Sequence, residues 1–187
     1  MYSNFYVSSE PRFVNRLQEL DTLLRYSQNG YYPVLFLYGP EGCGKTRLLK
    51  ELYAKLRTRE DFLAIYVDAQ STGEPDKAVL APPEILQSIS DIVKEIAGPI
   101  GKAAALAILH VNRIFKRLSF KNKHVVVIVD DVVRSLGYDI IEIYTKNLLK
   151  LLEELLNLGA ESVFVLATIS EGVSRSLLAR HNYVILT

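Results

Sequence analysis

At 187 residues, 49% of them hydrophobic and 23% charged, the chain has the balance of one globular domain with ample material for a core. A formal net charge of +1 excludes any whole-molecule electrostatic case for nucleic acid or an anionic membrane surface. The single cysteine, Cys43, excludes an internal disulfide and fits a reducing compartment.

The first dozen residues read as irregular, and the start, Met1-Tyr2-Ser3-Asn4-Phe5-Tyr6, lacks the basic region and long apolar core of a signal peptide. Asn15 and Gln18 have capping-box spacing and predict a helix start, with Leu17, Leu20, Leu23 and Leu24 as its apolar face. Gln28-Asn29-Gly30 ends that helix, and the apolar run 34–38 reads as a buried strand. Then comes Gly39-Pro40-Glu41-Gly42-Cys43-Gly44-Lys45-Thr46, which fits G-x-x-x-x-G-K-[ST], the Walker A pattern. Apolar residues at helical spacing follow over 47–56. Strand, glycine loop and helix form a phosphate cradle, in which loop N–H groups and the helix dipole face one anion. Lys45 supplies a mobile cation for the β- and γ-phosphates, and the Thr46 hydroxyl a ligand for Mg²⁺. Nucleotide contacts are expected from the whole loop and its exit: Gly39, Pro40, Glu41, Gly42, Cys43, Gly44, Lys45, Thr46 and Arg47. Cys43 is read as a small residue filling a loop position.

A second strand is expected over 62–67, closing at Asp68, and a punctuated loop over 71–76. Two helices follow, near 83–97 and 102–118, interrupted by Gly98-Pro99 and ending in the basic cluster Lys116, Arg117, Lys121 and Lys123. The second is either a family-specific insertion or a partner surface. Its most apolar run, 103–109, is far short of the ~20 residues a bilayer needs, so a soluble, cytoplasmic protein is expected.

The β-branched run 125–129 suits a strand buried on both faces of a parallel sheet. It ends in Asp130-Asp131, carboxylates at the strand edge where α/β sheets bind ligands. Asp130 is assigned to the metal and Asp131 to the attacking water, which turns binding into hydrolysis. A helix beginning at Asp139, with Glu142 at capping-box spacing, runs to Gly159. Strand four, 162–167, is followed by Thr168, a candidate for the γ-phosphate or the water, with Ser170 in reserve. A last helix, 173–180, and a short strand, 183–186, complete the pattern. Arg175, Arg180 and Arg134 are candidates for an arginine finger, with Arg180 taken as catalytic; solvated helix arginines are the alternative. His110, His124 and His181 lack metal-ligand spacing.

Strands alternating with helices predict a three-layer α/β/α P-loop NTPase fold with a five-stranded parallel sheet. The segment Phe13-Val14-Asn15-Arg16-Leu17-Gln18-Glu19-Leu20, with the two Walker-type motifs, resembles archaeal ATPases of the STAND class. It is also similar to the start of the origin-recognition initiator ATPases of the AAA+ group. The resemblance implies a sheet order of 5-1-4-3-2 and ATP as the nucleotide. It implies Phe13 and Arg16 near the base or ribose, and supports Asp131 and Thr168 in their roles. One ATPase domain is expected over 1–187, with 1–30 as an N-terminal segment and 31–187 as the nucleotide-binding core. Such families continue into a lid and usually a winged-helix domain. The resemblance thus allows a protein or DNA partner reached through a further C-terminal region, and nucleotide-dependent oligomers. The leading expectation is a Mg²⁺-dependent ATPase acting as a conformational switch. The alternative is a nucleotide-dependent DNA-binding or loading module.

Overall fold

The computed structural model describes residues 16–72, 75–110 and 121–169. Helix α1 (Leu17–Asn29) leads into strand β1 (Tyr31–Tyr38), and the glycine loop then opens helix α2 (Lys45–Leu56). Strand β2 (Phe62–Asp68) is followed by a helical turn, α3 (Pro75–Ala78), and a two-residue strand, β3 (Val79–Leu80). Helices α4 (Pro83–Glu95) and α5 (Ile100–Ala107) precede strand β4 (His124–Asp130). Helices α6 (Val132–Leu136) and α7 (Tyr138–Asn157) then lead to strand β5 (Ser162–Ile169).

The sheet order is β1-β5-β4-β2-β3. Strands β1, β5, β4 and β2 run parallel, whereas β3 pairs antiparallel with β2 through Tyr66↔Leu80 and Val67↔Val79. This corrects the expected all-parallel sheet of order 5-1-4-3-2. The four long strands neighbour one another as that order has them, but the fifth described strand is the short edge piece at 79–80. Its two residues turn back on β2 straight after α3, too briefly to leave a period-2 signature in sequence. The strand expected at 183–186 lies outside the described residues, as does the helix at 173–180.

Side chains alternate between two apolar cores, as the strand period of two requires. Leu35, Leu37, Ala64, Tyr66, Val126, Ile128, Phe164 and Leu166 face α1 and α2, packing on Leu20, Leu23, Leu48, Leu49 and Leu52. The intervening residues, among them Phe36, Ile65, Val127 and Val165, face α4 to α7. Both faces are covered, hence the near-continuous apolar strands.

Several boundaries differ from expectation. Arg16 occupies the N-cap of α1 with no side-chain cap bond, and Asn15, the expected cap, lies outside the described residues. Leu17 is 64% exposed and lies off the buried face. Helix α7 has Gly137 at its N-cap rather than Asp139, and Glu142 pairs with Lys146 at 2.9 Å. Glycine at φ 87° admits the turn that separates α6 from α7, which apolar periodicity alone does not reveal. Helix α5 ends at Ala107 in a 3₁₀ turn, and residues 111–118 of the expected longer helix lie outside the described residues.

Candidate functional site

The loop between β1 and α2 turns on two glycines in the left-handed region, Gly42 at φ 77° and Gly44 at φ 89°. A side chain at either would be strained, so the loop can fold its N–H groups inward only with glycine there. Gly44 is the N-cap of α2 and no side-chain cap satisfies that end, leaving the helix's first amides for a ligand. Lys45 is 9% exposed, and its Nζ donates to the carbonyls of Gly39 at 2.6 Å and Pro40 at 2.9 Å. A phosphate here would compete with those two carbonyls for the ammonium.

The loop opens on a cavity of about 590 Å³, a size suited to a small ligand. Glu41, Gly42, Gly44, Lys45, Thr46 and Arg47 line it, with Lys50, Asp131 and Arg134. The structure thus brings the expected phosphate loop and the second aspartate to one cleft. Arg16 stands at the head of α1 and does not line it.

The acidic pair is built by strand parity. Tyr66, Asp130 and Thr168 all fall on the sheet face that carries α2. Thr168 Oγ1 donates to Asp130 Oδ1 at 2.6 Å, and Tyr66 Oη donates to Asp130 Oδ2 at 3.0 Å. Asp130 is 2% exposed, so these two bonds offset the cost of burying the carboxylate. Each oxygen retains a further lone pair, which leaves acceptor capacity on both. Burial, then the charge of Asp130, pushes the Tyr66 phenol far above its ordinary proton affinity, which keeps its hydroxyl a donor.

Asp131 leaves the strand in the left-handed conformation, φ 53°, as the N-cap of α6. That turn aims its N–H at Thr168 Oγ1, 2.6 Å away. One hydroxyl thereby donates to the first aspartate and accepts from the backbone of the second. Thr168 was expected at the γ-phosphate or the water; here it lies within β5, fully buried, with its hydroxyl committed to the acidic pair. The Asp131 carboxyl is held above the usual aspartate range, chiefly by partial burial and then by Asp130; Lys45 and Arg134 oppose the shift. Asp68, the register partner of Asp130 on β2, adds to it.

Sequence reasoning missed Tyr66. Nothing in an apolar strand marks one tyrosine as a partner of an acid 64 residues away, and only the β2–β4 pairing reveals it. Phe13, Ser170, Arg175 and Arg180 lie outside the described residues, as do Lys116 and Arg117 of the basic cluster. Lys123 precedes β4, at the amino end of the sheet opposite the phosphate loop, and donates to the Glu60 carbonyl at 2.9 Å. Among the described residues no cluster of His, Cys, Asp or Glu could hold a metal by itself, and no helix is long and apolar enough to cross a membrane.

The family described as "ATPase domain predominantly from Archaea" matches residues 13–187. An uncharacterized ATP-binding protein of Methanocaldococcus jannaschii is 32% identical over 66 residues, which is 35% of this chain and 18% of that protein. The structure of Cdc6p from Pyrobaculum aerophilum aligns with a TM-score of 0.50 at 17% identity, over 96% of this chain and 47% of that one. At that identity the likeness is one of fold. The ORC2 protein of Aeropyrum pernix, solved in ADPNP–ADP complexes, aligns at 0.49 and 19% identity, over 98% of this chain and 50% of that one. The chain spans about half the length of these solved relatives.

Proposed function

The chain belongs to that predominantly archaeal family of ATPase domains, and from this premise we propose that its cleft binds ATP with Mg²⁺ and hydrolyses the γ-phosphate as a conformational switch. The observation that carries the reading is the shared cavity, where the glycine loop, Lys45 and Thr46 meet Asp131. The loop and Lys45 match the Walker A pattern, and Asp130-Asp131 the acidic end of a Walker B strand. On the segment 13–20 we place the chain in the STAND class.

Loop amides and the open end of α2 hold the β-phosphate, and Lys45 exchanges its carbonyl partners for β- and γ-oxygens. Thr46 and Asp130 would hold Mg²⁺: both present hard oxygen donors, and both carboxylate oxygens of Asp130 keep a free lone pair. When bound, the ion neutralises charge on the β- and γ-phosphates. Asp131, whose proton affinity is raised, orients the attacking water and takes its proton. Thr168 and Tyr66 position the pair. Because Thr168 bonds the Asp130 carboxylate and the Asp131 N–H at once, a change at the Asp130 carboxylate reaches β5 and the start of α6, which is the element the switch would bias.

Titration calorimetry and phosphate release test this with wild type, Lys45→Ala and Asp131→Asn. Wild type binds and turns over ATP with Mg²⁺, Lys45→Ala loses binding, and Asp131→Asn binds without turnover. No heat with any nucleoside triphosphate would sink the reading.

A further inference from the structure

Arg134 sits in the last turn of α6, three residues beyond Asp131, and lines the cavity from the acidic side. Its Nη1 donates to Glu41 Oε1 at 3.1 Å, an ion pair that joins α6 to the phosphate loop across 93 residues of sequence. The two side chains are 63% and 78% exposed. At that exposure water screens the pair, and two long side chains lose rotamer freedom to hold it, so the contact is weak. A phosphate offers the same guanidinium more charge and a two-point fork. Arg134 is therefore kept at the cavity rim by a partner it can exchange at little cost.

Its position within the cleft is equally specific. Lys45, Arg47 and Lys50 reach the cavity from α2, whereas Arg134 reaches it from the wall that carries Asp131. Arg134 and Asp131 line the same cavity, so the guanidinium shares a wall with the carboxylate assigned to the attacking water. With Asp131 at the attacking water, a cation on that wall would face the terminal phosphate, where charge redistributes during transfer.

We propose that Arg134 is a nucleotide-contacting residue supplied in cis: it exchanges Glu41 for the γ-phosphate and so distinguishes ATP from ADP. The inference rests on the ATP-binding reading above. Glu41 is the holder that parks the guanidinium between turnovers and ties the loop to α6.

The test is titration calorimetry of the whole chain with Mg²⁺ and either ADP or a non-hydrolysable ATP analogue. Arg134→Ala should weaken the triphosphate about tenfold or more, as loss of a charge-assisted hydrogen bond does, and leave ADP within about twofold. Arg134→Lys, which keeps charge without the fork, should fall between. Glu41→Gln should raise triphosphate affinity, since the competing partner is gone. Retained ADP binding by each variant shows a folded site. Equal loss of both nucleotides, loss of neither, or a Glu41→Gln defect matching that of Arg134→Ala would overturn the proposal while leaving ATP binding intact. A wild-type chain that binds neither nucleotide would overturn both.

Discussion

Replacing Tyr66 by phenylalanine removes one oxygen from the centre of the site. The ring is 1% exposed and packs near Tyr53, centroids 6.2 Å apart, and phenylalanine fills the same space. What is lost is the 3.0 Å bond to Asp130 Oδ2, a carboxylate with only 2% exposure. Hydrogen bonds to charged groups contribute about 1.5–3 kcal/mol, so the variant should lose roughly 2 kcal/mol of stability. With a urea m-value of about 1–3 kcal/mol/M, the unfolding midpoint should fall by ~1 M, with unchanged slope. Turnover should drop about tenfold as Asp130 gains rotational freedom, with nucleotide affinity little changed, because Tyr66 does not line the cavity. An unchanged midpoint would show that the bond does not hold the buried acid. A lowered midpoint with full turnover would make it structural only.

Thr168→Val removes both the donor to Asp130 and the acceptor for the Asp131 N–H in a fully buried setting; about 2–4 kcal/mol of stability should be lost, and Thr168→Ser should restore most of it in the same denaturation series. Because the folded chain holds the Asp131 proton more tightly than the unfolded chain does, stability without nucleotide should fall as pH rises from the ordinary aspartate range through that raised value. Asp131→Asn removes this loss, so its melting temperature should exceed wild type at neutral pH and converge with it in acid. Gly101→Ala should be strongly destabilising although Gly101 is helical, because a Cβ there would collide with the Ala69 carbonyl and the Ser71 nitrogen; a melting temperature within a degree or two of wild type would contradict this.

The phosphate loop, the acidic strand end and most long elements were legible along the chain, because each rests on neighbours in sequence. Glycine spacing dictates the turn at 42–44, β-branched runs dictate buried strands, and leucine spacing dictates the faces of α1 and α2. The family resemblance added the neighbour order of the four long strands and support for Asp131. Contacts between distant segments were not legible. Tyr66 meets Asp130 across 64 residues and Arg134 meets Glu41 across 93, and no local pattern singles out either pair. The antiparallel strand at 79–80, the left-handed turn at Asp131 and the two-way hydroxyl of Thr168 belong to the same class. Periodicity reports which face a residue presents; register and chain crossing decide which residue stands opposite. Sequence alone thus determined that a phosphate cradle and an acidic strand end exist. Only the packed sheet, by aligning β2, β4 and β5 on one face, decided which side chains hold the acids in place.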